Sequence, residues 1–275
     1  TDILIAKVIT TLMVRVVMTK IIHTIMSIKM QATSLLNLLH ISSPALPIGA
    51  FAYSQGLEYT LEAGWCKNAD DVEQWIKSVM IHGLGGIDLP ILKRLYQTWS
   101  AYFIEHEETD KQVNEENSDS DSDSLNAQSL KTWNATLLAF RETKELYLED
   151  IQVGDAFKQW HKSQSVEHIA KLDVVDKPTV ACMYALNGVI KGLTVEECLI
   201  GFVWSWLENQ ITSASKAMPM GQTDGQNIIR HLIPEIEAIV ENAMQLEDDD
   251  IGSGLVGLSM SSALHETQYS RLFRS

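Results

Sequence analysis

"TVEECLIGFVWSWLENQITSASKAMPMG", residues 194–221, decides the fold. Thr194 and Glu197 have the spacing of a capping box. The hydroxyl accepts from a backbone N–H three residues on, and the carboxylate reaches back to the first residue's own N–H. Behind the cap, Trp204, Leu207, Ile211, Ala214 and Met218 form one apolar helical stripe. Pro219 and Gly221 stop it.

The same period extends in both directions. Val72, Trp75, Ile76, Val79 and Met80 make one face of a helix, with Asp70 or Asp71 placed to cap it and the glycines at 83, 85 and 86 to end it. Leu89, Leu92, Leu95, Tyr96, Trp99 and Phe103 make the next stripe, with Pro90 tolerated in its first turn. Helical signals resume near Leu130, and Arg141 and Glu145 have the spacing of a helical ion pair. Pro178 opens a helix through Asn187 that Gly188 closes, and a last one runs from about Asp224 to Leu246, bent near Pro234. No stretch alternates apolar and polar residues over a strand's length. The chain reads as all-α, a single-domain helical bundle of about eight to ten helices.

At 275 residues the net charge is −15, but two short runs hold −11 of it: residues 107–123 and Glu247–Asp250. The body is therefore only mildly acidic, and no basic patch interleaved with aromatics offsets it, which argues against nucleic acid. Cys66, Cys182 and Cys198 are scattered with no CxxC pair, which suits buried thiols in a reducing, cytoplasmic setting. Residues 1–30 are apolar but interrupted by Lys7, Arg15, Lys20 and Lys29, too often to span a membrane. They are expected to be a poorly ordered or artefactual extension, with the folded domain over 31–275. Residues 107–124, "EETDKQVNEENSDSDSDS", hold one valine as their only apolar group and read as an acidic disordered insert between two helices. Its serines among acids suit acid-directed kinases; a solvated spacer is the favoured reading.

Catalytic signatures are missing from the sequence. GxxxxGK[ST], GxGxxG and HExxH do not occur. "HGLGG" at 82–86 lacks a preceding strand and a following Lys-Ser/Thr, and reads as a helix terminator. His161 and His168 are seven apart without a carboxylate or thiol at ligand spacing, and read as two solvated histidines. His265 beside Glu266 is at most half a dyad with no nucleophile elbow. No catalytic residue, metal ligand set or cofactor is expected.

Three stretches carry more polar and aromatic groups than their local structure requires. In "SSPALPIGAFAYSQGLEYTLEAGW", residues 42–65, the prolines and Gly49 force a non-helical entry, and "FAYSQGLE" starts a short helix that carries Tyr53, Gln55, Glu58 and then Tyr59. In "MPMGQTDGQ", residues 218–226, Gly221, Gln222, Thr223 and Asp224 join two long helices. "HETQYSRLFRS", residues 265–275, ends the chain with His265, Glu266, Gln268, Tyr269, Arg271, Leu272, Phe273 and Arg274. These are the candidate partner-binding residues, because tyrosine and arginine dominate interface hot spots. The first stretch reads equally as a helix start packed on the core, and the second as a bare turn.

Taken together, "SPALPIGAFAYSQGLEYTLEAGW", "RETKEL" followed by "VGDAF", "WSWLENQITSASKAMPMGQTDGQ" and the terminal "HETQYSRLFRS" resemble the urease accessory protein UreF family, in family order over residues 33–275 apart from the acidic insert. Ala52 stands where the family usually has serine, and Met220 where it has leucine. The insert and the first 30 residues are extra.

The resemblance implies an all-α, non-catalytic protein that dimerises and acts with UreD (also called UreH) and the GTPase UreG. That complex delivers nickel to apo-urease, where a carbamylated lysine bridges two nickel ions. The chain would bridge UreD and the GTPase as a scaffold and regulator, not as a nickel ligand set. The tail over 264–275 would be disordered alone and ordered on a partner, with Arg271 and Arg274 as charge-assisted donors and Tyr269, Leu272 and Phe273 as anchors; a tail folded back on its own body is the other reading. Arg271 is the residue whose loss is expected to stop assembly. An alternative of another class is that a tail arginine stimulates GTP hydrolysis by insertion.

Overall fold

The computed structural model describes residues 32–110, 124–164, 170–252 and 254–275, and every regular element among them is helical. Helix α1 covers 32–41. It is followed by α2 (Leu57–Glu62), α3 (Ala69–Ser78), a π-helical run over Val79–Asp88, α4 (Leu89–Asp110), α5 (Leu125–Ala139) and α6 (Lys144–Gln164). The chain continues through α7 (Val180–Ile190), α8 (Val195–Ala217), α9 (Gln222–Gln245) and α10 (Val256–His265). Short 3-10 turns lie at Ala50–Ala52, Ala170–Val174 and Asp248–Asp250. The expected all-α fold is observed.

Helices α4 and α7 form the centre, packed on one another, with α5, α8 and α9 against α4 and α6 against α7. Every residue from Ala181 to Gly188 is buried, as befits a helix surrounded on all sides. On α4, Leu89, Ile91, Leu92, Leu95, Trp99 and Tyr102 are buried, and the Trp99 indole donates to the Cys182 carbonyl at 3.2 Å. The three cysteines are buried in this core; burial pushes the Cys182 thiol up to about 12 and raises Cys66 and Cys198 as well. They are inert as nucleophiles.

Several local expectations need correction. The glycines at 83, 85 and 86 do not end a helix: the chain continues helical through Asp88 into α4. Gly83 and Gly85 pack closely on Leu255 and Ile239, so tertiary contact outweighs poor local propensity. The cap of α3 is Asn68, whose side chain accepts from the Asp71 N–H at 3.0 Å, not Asp70 or Asp71. Helix α7 is capped by Thr179 and runs past Gly188 to Ile190. Gly188 is there for closeness, since a Cβ would meet Cys198 Sγ of α8 at 2.7 Å. His161 is buried, with Nδ1 2.9 Å from Asn187 Oδ1, whereas His168 lies outside the described residues.

Arg141 and Glu145 do not pair, because Arg141 precedes α6 and the helical spacing does not apply. Arg141 instead donates to Asp150 at 2.8 Å and to both oxygens of Asp88 at 2.5 and 3.2 Å. Burial pulls its pKa down, but the two carboxylates hold it above that of an ordinary arginine. Asp150 also accepts from the Val180 N–H at 2.8 Å, so this ion cluster ties the π-helical run and α6 to the start of α7. Of the acidic insert, helix α4 continues to Asp110 and Ser124 caps α5, accepting from the Ala127 N–H; the rest of the insert and the N-terminal extension lie outside the described residues. No described helix is long and apolar enough to cross a membrane.

Candidate functional site

The segment before α2 is broken into a 3-10 turn at Ala50–Ala52, an extended Tyr53, and a left-handed pair, Gln55 (φ 53) and Gly56 (φ 75), instead of the single short helix expected. A non-glycine in that region is strained and persists only where its surroundings hold it. Gln55 is held from both sides: the Trp206 indole donates to its Oε1 at 2.7 Å, and its Nε2 donates to Glu149 at 2.8 Å. The break turns Tyr53 inward, where it is buried, its hydroxyl donates to Gln152 at 2.8 Å and its carbonyl accepts from Asn209 at 3.0 Å. Tyr53 and Gln55 therefore organise the body's interior and do not face outward.

Glu58, in the first turn of α2, is also buried, and both its oxygens are occupied by the C-terminal segment. One oxygen accepts from the Leu272 N–H at 2.7 Å, the other from the Phe273 N–H at 3.0 Å and from His265 Nε2 at 3.1 Å. His265 is fully buried, and its Nδ1 lies 2.7 Å from Glu145 of α6. The ring thus bridges two carboxylates, one through each nitrogen. Arg271 closes the set on the other Glu145 oxygen at 2.7 Å.

Beyond Phe273 the chain is tied to the segment before α2. Arg274 N–H donates to the Ala52 carbonyl at 2.8 Å, and the Ser275 main-chain oxygen accepts from the Ser54 N–H at 2.5 Å and its hydroxyl at 2.6 Å. The Ser275 hydroxyl donates to Glu149 at 2.8 Å. Burial pushes the Glu149 carboxyl up to about 7, against the donors Gln55 and Ser275 that pull it down. The tail is thus ordered on its own body, contrary to the expectation of disorder in isolation. Phe273 is an internal anchor: it is buried, and Lys216 of α8 lies 5.7 Å from its ring.

What the tail leaves outward is narrower than the expected set. Tyr269 is fully exposed at 104% and Leu272 is 69% exposed, while Glu266 and Arg274 also face solvent. On α10, Val256, Met260 and Leu264 recur every four residues with 70%, 49% and 38% of their surface open. Gln268 lies beneath, donating to Glu62 and to the Ser270 carbonyl. Tyr59 sits against Trp65 with ring centroids 5.6 Å apart. Gly221, Gln222, Thr223 and Asp224 are exposed at the α8–α9 turn, with Asp224 accepting from the Gly221 N–H at 3.2 Å. Asp224 and Met218–Met220 share one groove with Glu58, Glu62 and Leu272, so the three stretches singled out in the sequence meet there.

Sequence reasoning missed the seat itself. Glu145, Glu149 and Gln152 on α6, with Trp206 and Asn209 on α8, hold the tail and the Tyr53 segment. A signal was present: glutamates four apart on one helix repel unless something neutralises them. A cavity of about 400 Å³ lies behind this seat, walled by apolar groups such as Leu46, Phe51, Phe202 and Leu255 with Gln55 and Glu149 at its edge. Among the described residues no group of three or more His, Cys, Asp or Glu side chains is placed to share a metal ion.

Comparison with known proteins points in one direction. The family model described as UreF matches residues 66–233. The urease accessory protein UreF of Teredinibacter turnerae is 41% identical over 88% of this chain and 98% of its own length. That of Chromohalobacter salexigens is 40% identical over 88% and 95%, and that of Hahella chejuensis 38% over 90% and 100%. With the helical fold and the latched tail, these matches lead to a plain conclusion: the chain belongs to the UreF family of urease accessory proteins.

Proposed function

We propose that this chain is the scaffold that joins a UreD (UreH) protein and the GTPase UreG into the complex that delivers nickel to apo-urease, acting in the cytoplasm as a homodimer. It is an adaptor and not an enzyme. The observation that carries the reading is the open apolar surface of Tyr269 and Leu272 on a tail fixed from beneath, after a helix whose Val256, Met260 and Leu264 are also open. Exposed apolar groups of this kind mark docking surfaces, and exposed aromatics on a pre-ordered backbone bind with little entropic cost. We assign this face to UreD. The groove shared by Leu272, Asp224 and Met218–Met220 lies next to it, so a second partner, the GTPase, can be held beside the first. Self-association falls on α1, whose Leu35, Leu36 and Leu39 are more than half exposed.

The test is capture of the cognate UreD and GTPase by tagged chain in co-expressing cells, comparing intact protein with a Tyr269→Ala/Leu272→Ala double variant. A chain ending at Leu264 is the poorer choice, since it removes buried His265 and strips Glu58 of its donors. The reading expects the double variant to lose UreD; equal capture contradicts it. A second reading, stimulation of GTP hydrolysis by a tail arginine, falls on exposed Arg274, because Arg271 is engaged by Glu145. Arg274→Lys should then slow GTP turnover in the assembled complex while leaving assembly intact.

A further inference from the structure

We propose that Glu58 is a positioning residue: its buried carboxylate is the receptor for the tail backbone and thereby sets the face that Tyr269 and Leu272 present to the docking partner. The proposal rests on the docking reading above and adds the residue that makes the docking face a fixed one.

Two successive main-chain N–H groups, of Leu272 and Phe273, converge on the two oxygens of one carboxylate at 2.7 and 3.0 Å. Successive backbone N–H groups aimed at one point form an anion-binding nest, and here the anion is supplied by the chain's own side chain. Hydrogen bonds to an ionised acceptor are about twice as strong as neutral ones, and little of Glu58 is open to water. Glu58 is 5% exposed and His265, on the same carboxylate, is 0% exposed. Because the carboxylate grips the backbone of residues 272 and 273, it fixes their side-chain directions. Phe273 points inward and is buried, which leaves the Leu272 side chain outward.

Residue chemistry at position 58 is demanding. Glutamine keeps the shape but offers one acceptor and one donor, so one tail N–H would face another N–H. Aspartate keeps the charge but is one methylene shorter and draws the oxygens back from the tail. Glu145 grips the tail as well, but through the side chains of His265 and Arg271 and not through the main-chain N–H groups of residues 272 and 273.

The experiment measures amide hydrogen exchange at Leu272 and Phe273 in the full-length chain, together with capture of the cognate UreD. Four proteins are compared: native, Glu58→Gln, Tyr269→Ala/Leu272→Ala, and the triple variant. Glu58→Gln is expected to quicken exchange at those two amides by roughly ten- to hundredfold, with the core amides of α4 and α7 unchanged, and to weaken capture by a similar factor. Adding Glu58→Gln to the docking-face variant should weaken capture no further, since both act through the same surface. Should Glu58→Gln fail to fold, Glu58→Asp is read in its place by the same two measures. Unchanged exchange at Leu272 and Phe273 overturns the role of Glu58 whatever capture does. Quickened exchange with native capture, where Tyr269→Ala/Leu272→Ala loses it, overturns it too. Native capture by Tyr269→Ala/Leu272→Ala refutes the docking reading instead, and with it the partner-facing half of the proposal.

Discussion

Replacing Glu149 with glutamine holds in place the neutral state that the fold favours, while keeping the acceptor for Gln55 and a polar partner for the Ser275 hydroxyl. In the native protein the carboxyl is pushed from its usual 4.5 to about 7, chiefly by burial. The folded protein therefore keeps a proton that the unfolded chain has released, and between those two values folding binds it. Stability from this group is fully present below about 4.5 and is lost as pH rises through about 7. Each pH unit in the window is worth about 1.4 kcal/mol, so the whole effect is on the order of 3 kcal/mol. The part that falls between pH 5.5 and 8 is about 2 kcal/mol. Urea unfolding of the native protein and Glu149→Gln at several pH values in this range isolates the group, because the other titrations are common to both. The native protein should lose about 2 kcal/mol relative to the variant on going from pH 5.5 to 8, then run parallel to it. A constant difference, or one that favours the native protein as pH rises, refutes the reasoning.

Other consequences follow from packing. Gly154→Ala would place a Cβ 1.9 Å from the Pro178 carbonyl oxygen, a backbone atom that cannot step aside. It should lower the urea midpoint by the equivalent of about 3 kcal/mol or more. Arg141→Lys keeps the charge but loses the fork shared by Asp88 and Asp150, and should cost about 2 to 3 kcal/mol in thermal or urea unfolding. With self-association on α1 as proposed, Leu36→Glu on its open face should give a monomer in light scattering where the native chain gives a dimer, while the stability of the fold changes by no more than about 0.5 kcal/mol.

How much of this was legible in the sequence depended on the range of the interactions. The Thr194–Glu197 box is local and is formed as read, with Glu197 accepting from the Thr194 N–H at 2.7 Å and Thr194 accepting from the Glu197 N–H at 3.2 Å. The stripe behind it and the all-α class follow from period alone. The glycine run at 83–86 was misread because its helix is held by α9 and the 255 segment, which local propensity does not sense. The seat of the tail is hidden from the sequence for the same reason. Its side chains read as donors for a partner, but their acceptors Glu58 and Glu145 are 120 to 215 residues away in the chain. Tyr53, Gln55, Glu58 and His265, read as candidates for partner contact, make their contacts inward. Of the chosen residues, Tyr269 and Leu272 are the apolar ones left open.

The account's central claim is that the chain serves urease maturation by holding its partners together through the tail face. The most direct measurement is the nickel content and activity of urease purified from cells that express the urease genes with the native chain, without it, or with Tyr269→Ala/Leu272→Ala. Nickel-loaded, active urease is expected with the native chain, and nickel-poor, inactive urease in the other two, with the urease protein itself present in equal amount. Fully loaded urease made in the absence of the chain would contradict the accessory role. Loaded urease made with the double variant would contradict the tail face as its means.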